Sequence, residues 1–146
     1  MGPSRAVAEG YYSRLEDPPA PTLKLRVLTP TGRRSITVEA KVDTGFSGPL
    51  LLAVEDYLRL GLQLYERAEK TEGVVAGSIS VELRVSKGIV ELGGVQVPCE
   101  VYTTVAARKS LVGRQLLNRY RVVLEAPCGL ARLEEATCTE KPEAQA

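Results

Sequence analysis

The chain contains three aspartates and no histidine. Each aspartate sits in a different setting. Asp17 precedes Pro18 and Pro19 and reads as a turn residue. Asp56 follows Glu55 at the start of a helical stretch, where negative charge complements the helix dipole. Asp43 follows the apolar Val42 and opens the tripeptide Asp43-Thr44-Gly45. A carboxylate in that position either closes an Asx-turn at a strand end or serves as an acid and base. The absence of histidine removes a Ser-His-Asp triad, a Cys-His pair and a His-ligated zinc from this chain. Ser47 does not sit in a nucleophile elbow, because Pro49 takes the place of the last glycine of G-x-S-x-G. Cys99, Cys128 and Cys138 form no C-x-x-C pair, so no metal or cofactor is expected.

The elements that must position Asp43 are mostly strands. "TLKLRVL" alternates polar and apolar residues, and "TPTGRR" is a turn signal. "SITVEAKV" alternates again, with Ile36, Val38, Ala40 and Val42 on one face. "PLLLA" is a short apolar strand, and "VEDYLRLGL" is a short helix stopped by Gly61. Strands follow at "ISVELRV", "GIVEL" and "VQVPCEVY", the last two joined by a Gly93-Gly94 turn. "SLVG" is a brief apolar segment, "RQLLNRY" a second short helix, and "RVVLE" with "GLARLE" a final hairpin. Cys99 reads as a small hydrophobe in its strand. Cys128 and Cys138 flank the last strand and could form a disulfide. The predicted class is all-β, a closed or nearly closed β-barrel with two short helices. Residues 1–21 are expected to be an irregular lead-in, because the Pro-rich run before Thr22 resists both helix and central strand. Residues 135–146 are expected to be a flexible tail.

A length of 146 residues suits one domain, here 22–134. A net charge of +1 gives no field that would draw nucleic acid or acidic partners. The basic residues Arg108, Lys109, Arg114, Arg119 and Arg121 lack interleaved aromatics and read as a solvated face. No apolar run reaches membrane-spanning length. The N-terminal segment lacks an apolar h-region, and Ala6 breaks a myristoylation pattern. A cytoplasmic location is therefore expected. Asn118 is the only asparagine, and scarce amides beside many charges fit a thermophile composition.

A second segment bears on Asp43. "SLVGRQLLNRYRVVLE", Ser110 to Glu125, lies roughly 60 residues after "VDTGFSGPLLL". Together the two resemble the retropepsin-like aspartic proteases, and look most like the small prokaryotic members called clan AA aspartic proteases. In that family the order is strand, Asp-Thr/Ser-Gly, strand, flap hairpin, strands, an apolar pair with Gly, short helix, final strand. The resemblance implies a barrel of the acid-protease (retropepsin) type. It also implies that Asp43 is the catalytic acid and base, supported by Thr44 and Gly45. Thr44 would join a hydrogen-bond lattice beneath two such aspartates.

The family's chemistry needs two carboxylates that share one proton, one a base for water and the other an acid for the carbonyl. One Asp-Thr-Gly in one domain then requires a C₂ homodimer, with one Asp43 from each chain. The resemblance places a flap near Val74, Val75, Ala76 and Gly77, and assigns Phe46, Ser47, Leu111 and Val112 to the cleft. The implied partner is an extended polypeptide substrate, held partly by β-strand addition. Phe46 stands where retroviral relatives have alanine, Ser47 where they have an acid paired with the arginine at Arg114, and Gln115 where they have asparagine. Cleft and interface are expected to differ accordingly. The other reading of the same resemblance is a dimerisation or peptide-binding module with little or no turnover.

Overall fold

The computed structural model describes residues 5–67, 71–75, 79–136 and 138, with residues 71–75 and 79–81 described by their backbone alone. Among them ten strands form one sheet: β1 Ala6–Ser13, β2 Ala20–Leu28, β3 Ser35–Val42, β4 Leu50–Leu51, β5 Thr71–Val75, β6 Ile79–Leu92, β7 Val95–Thr103, β8 Ser110–Val112, β9 Tyr120–Glu125 and β10 Leu130–Glu135. Two short helices accompany them, α1 Val54–Leu60 and α2 Arg114–Leu117.

The alternation of β2 and β3 builds the centre. Leu23, Leu25 and Val27 point inward, and Lys24 and Arg26 outward. Val38, Ala40 and Val42 face them from β3. The hairpin pairs Leu23 with Ala40 and Leu25 with Val38, so the apolar faces coincide. From β2 the order runs β3, β8, β4, β7, β6, and a β6–β2 pairing closes the ring at Arg26 opposite Glu91 through Leu28 opposite Ile89. An all-β, ring-like sheet with two short helices is thus the fold.

The core inside the ring gathers Leu50, Leu52, Tyr57, Leu60, Leu62, Val90, Val101, Val112, Leu116 and Leu117 with the β2 and β3 residues. Helix α1 places Tyr57 and Leu60 in it and ends at Gly61, whose φ of 86° needs a residue without Cβ. The Tyr57 hydroxyl donates to Glu66 at 2.9 Å, Glu66 pairs with Arg84 at 2.8 Å, and the Arg84 guanidinium lies over the Tyr57 ring at 5.6 Å. Burial, then the Glu66 contact, raises the Tyr57 hydroxyl well above its ordinary range.

Three expectations need correction. The lead-in contains a strand: β1 pairs with β10 on one side and with residues 20–23 of β2 on the other. Its residues are mostly half-buried on both faces, so no period of two marks it in the sequence. Gly10 lets β2 approach, since a Cβ there would stand 1.7 Å from the Thr22 carbonyl oxygen. The second correction joins "ISVELRV" and "GIVEL" into the single 14-residue β6. Gly88 does not break it; the glycine makes room for Val101 of β7, whose Cγ2 would meet a Cβ at 2.7 Å. The third concerns the tail, whose first residue, Glu135, ends β10. Residues 1–4, 137 and 139–146 lie outside the described ones. Among the described residues no helix is long and apolar enough to cross a membrane.

Candidate active site

Strand β3 ends at Val42, and Asp43 is the first residue beyond it. β8 runs parallel to β3, with Val112 opposite Val42 and both buried. The Asp43 N–H continues this ladder by donating to the Val112 carbonyl at 3.0 Å. The chain then turns sharply. Asp43 Oδ1 accepts the Gly45 N–H at 2.9 Å, and the Asp43 carbonyl accepts the Phe46 N–H at 3.2 Å. The Asx-turn is therefore present, and it leaves Oδ2 of the half-buried carboxylate outside that bond. A turn and a reactive group are compatible at this residue. A Cβ on Gly45 would lie 3.2 Å from Asp43 Oδ1, so the glycine permits the close approach.

The second motif is fastened to the first. The Gly113 N–H donates to the Pro49 carbonyl at 3.0 Å, and the Arg114 N–H to the Phe46 carbonyl at 2.8 Å. A Cβ on Gly113 would stand 2.2 Å from the Gly48 carbonyl oxygen and 2.6 Å from the Phe46 ring. Only glycine allows this seating. The Gly113 carbonyl in turn accepts N–H groups of Leu116 at 3.1 Å and Leu117 at 2.9 Å, and both leucines are buried. Helix α2 thus anchors the loop that carries Asp43. β4 adds a further tie, lying antiparallel to β8 and parallel to β7.

No family model matches the chain, and no curated protein matches it. Among solved structures, a retropepsin-like aspartic protease from Rickettsia conorii is similar over 92% of this chain and 97% of its own, with a TM-score of 0.55 and 18% identity. The chain has a retropepsin-like fold. The EIAV protease in complex with the inhibitor HBY-793 aligns over 68% of this chain and 86% of its own, at TM-score 0.49 and 19% identity. The retroviral protease-like domain of Ddi1 from Leishmania major aligns over 78% and 93%, at 0.44 and 18%.

Within this retropepsin-like fold the sequence-derived site residues separate into groups. Asp43, Thr44, Gly45 and Ser47 share one loop, and Thr44, Gly45 and Ser47 are exposed. Leu111 is half-buried, opposite Lys41 and Leu51. Val112 does not line a cleft: it is fully buried in the core and supports Asp43 from behind through its carbonyl. The Phe46 ring is half-buried and turned back onto Gly48 and Gly113, with an edge-to-face contact to Tyr102 at 6.0 Å. The ring thus props the loop that carries Asp43, whereas the resemblance assigns it to the cleft. Val74 and Val75 lie in β5, which pairs with the start of β6 as an antiparallel arm. Ala76 and Gly77 lie outside the described residues. Arg114 is exposed and has no side-chain ion pair among the described residues.

Sequence reasoning passed over Lys41. Ala40 and Val42 are buried and Lys41 is not, so Lys41 shares the outward face of Asp43 two residues on. The period of two in "EAKVD" carried that signal. Among the described residues, no group of three or more Cys, Asp or Glu is placed to hold a metal ion.

Proposed function

We propose that the protein is a homodimeric aspartic endopeptidase in which two chains each contribute Asp43 to one site. The observation that carries this reading is the three-bond fastening of the Asp43 loop to the β8–α2 segment, in a chain with a single Asp-Thr-Gly. It holds a carboxylate at a rigid strand end while leaving Thr44 and Gly45 open to a second copy.

In the proposed dimer the two carboxylates face each other across the two-fold axis. Like charges at hydrogen-bond distance do not both ionise, so the pair retains one proton. The ionised member takes a proton from water as that water attacks the peptide carbonyl carbon. The protonated member gives its proton to the carbonyl oxygen. Collapse of the tetrahedral species returns the protons to the pair and to the leaving amine. Exposed Thr44 supplies the hydroxyl for hydrogen bonds across the axis. The β5–β6 arm, with Val74 and Val75, covers the cleft and pairs with an extended substrate.

The test is cleavage of a denatured polypeptide at acid pH, with and without pepstatin, on protein sized at the same concentration. Pepstatin-sensitive cleavage by a dimer is expected. A protein that binds peptide without cleaving it would instead support the binding-module reading, and a strict monomer at micromolar concentration would contradict the endopeptidase reading.

A further inference from the structure

The outward face of β3 leads from Asp43 back to a cavity of about 530 Å³, a size that suits a ligand group. Lys41, one strand repeat before Asp43, lines it. So does Lys109, which stands two residues before Leu111, the residue opposite Lys41. The intervening Ser110 is buried and its Oγ accepts the Ala53 N–H, so Lys109 is left on the outer side.

The charges in this cavity are unequally used. Glu16 reaches over from the connection between β1 and β2 and takes Lys41 at 2.6 Å and Lys109 at 3.8 Å. Glu39 accepts the Tyr11 hydroxyl at 2.7 Å, and Asp56 lies 4.0 Å from Arg59. Every carboxylate in the wall thus has a partner. Two cations in the wall, Lys24 and Arg108, have no ion pair or side-chain hydrogen bond among the described residues, and both are exposed. Arg108 and Lys109 therefore belong to a concave site rather than to the plain solvated face that their spacing implies. A visiting carboxylate would gain charge-assisted hydrogen bonds from the two unused cations, whereas a visiting cation would find every acid occupied.

We propose that this cavity is a subsite for an acidic side chain of a bound polypeptide, whose carboxylate is held by Lys24 and Arg108 on the face that carries Asp43. The word substrate for that polypeptide rests on the endopeptidase reading; the binding preference does not. Because both cations are solvated, the preference is modest, about fivefold in affinity for one acid against its amide.

The test uses full-length Asp43→Asn protein, which keeps the Oδ1 acceptor for the Gly45 N–H, and fluorescent octapeptides of fixed neutral sequence. One Glu is moved through each position, with Gln as its control, and affinity is read by anisotropy. We expect one register at which Glu binds about fivefold more tightly than Gln. Lys24→Gln combined with Arg108→Gln should abolish that preference and leave the Gln peptide unchanged. Equal affinity at every register, no binding of any peptide, or a preference that survives the double substitution would overturn the proposal. Inorganic phosphate at the peptide's concentration should not compete; equal competition would mark a free-anion site and overturn it too. Cleavage retained by Asp43→Asn would sink the endopeptidase reading alone, so the two failures are distinguishable.

Discussion

Asp43 and Val112, 69 positions apart by their numbers, are joined by a backbone hydrogen bond of 3.0 Å that extends the parallel β3–β8 ladder past the end of β3. The bond sets where the Asp43 carboxylate leaves the sheet. It also makes the second motif a mechanical part of the first, because Gly113 and Arg114 continue the contact to Pro49 and Phe46.

Gly113→Ala should therefore damage fold and site together. Its Cβ would meet the Gly48 carbonyl oxygen at 2.2 Å, a backbone atom that cannot swing aside. Overpacking of this kind costs about 1–3 kcal/mol, read as a lower urea midpoint with unchanged slope. An unshifted midpoint would show that the loop is not seated as described.

Thr44→Val should act on association and leave the protomer alone. Thr44 is exposed in one chain, so its removal costs the protomer little. In the proposed dimer its hydroxyl bonds cross the axis, and each such bond contributes about 1 kcal/mol. We expect the dimer dissociation constant from sedimentation equilibrium to rise roughly tenfold or more. An unchanged constant would remove Thr44 from the interface.

Glu16 should titrate below its ordinary value of 4.5, chiefly because Lys41 donates a hydrogen bond to its carboxylate, with Lys109 adding charge. A lowered folded value means that this contribution is fully present above the ordinary carboxylate range. It is lost as pH falls through the folded value. Carbon-detected NMR titration of Glu16 should show the lowered value, and Lys41→Met should move it upward. No movement would assign the shift to another cause.

Cys99 and Cys128 should differ sharply toward alkylating reagents. Burial pushes the Cys99 thiol up to about 11, whereas Cys128 is an exposed free cysteine. At pH 8 only about a thousandth of Cys99 is thiolate. Mass-mapped alkylation of the folded protein should label Cys128 at least about 100-fold faster. Comparable rates would place Cys99 at the surface.

How much of this was legible in sequence depended on how local each signal was. β3 announced itself through Ile36, Val38, Ala40 and Val42, Gly61 marked the end of α1, and Gly93 and Gly94 adopt φ of 60° and 81° in the turn they predict. The Asp43 loop and its partner segment were legible because both are short contiguous motifs. β1 was not, since its strand character comes from partners at both chain ends and not from its own pattern. Val112 was misplaced because alternation places it beside Val42 in the core, a register that only the parallel pairing reveals. The direction of the Phe46 ring depends on the space left by Gly48 and Gly113, and the reach of Glu16 to Lys41 depends on the β1–β2 connection folding back. Neither has a local signature.

The most direct test of the two-chain aspartic site is the rate at which Asp43→Asn protein cleaves a denatured polypeptide at acid pH, compared with the unsubstituted protein at equal dimer concentration. The substitution keeps the Oδ1 acceptor for the Gly45 N–H and removes the shared acid and base. We predict a loss of at least about 10²- to 10⁴-fold with an unchanged sedimentation profile; cleavage at the unsubstituted rate would contradict the catalytic role of Asp43.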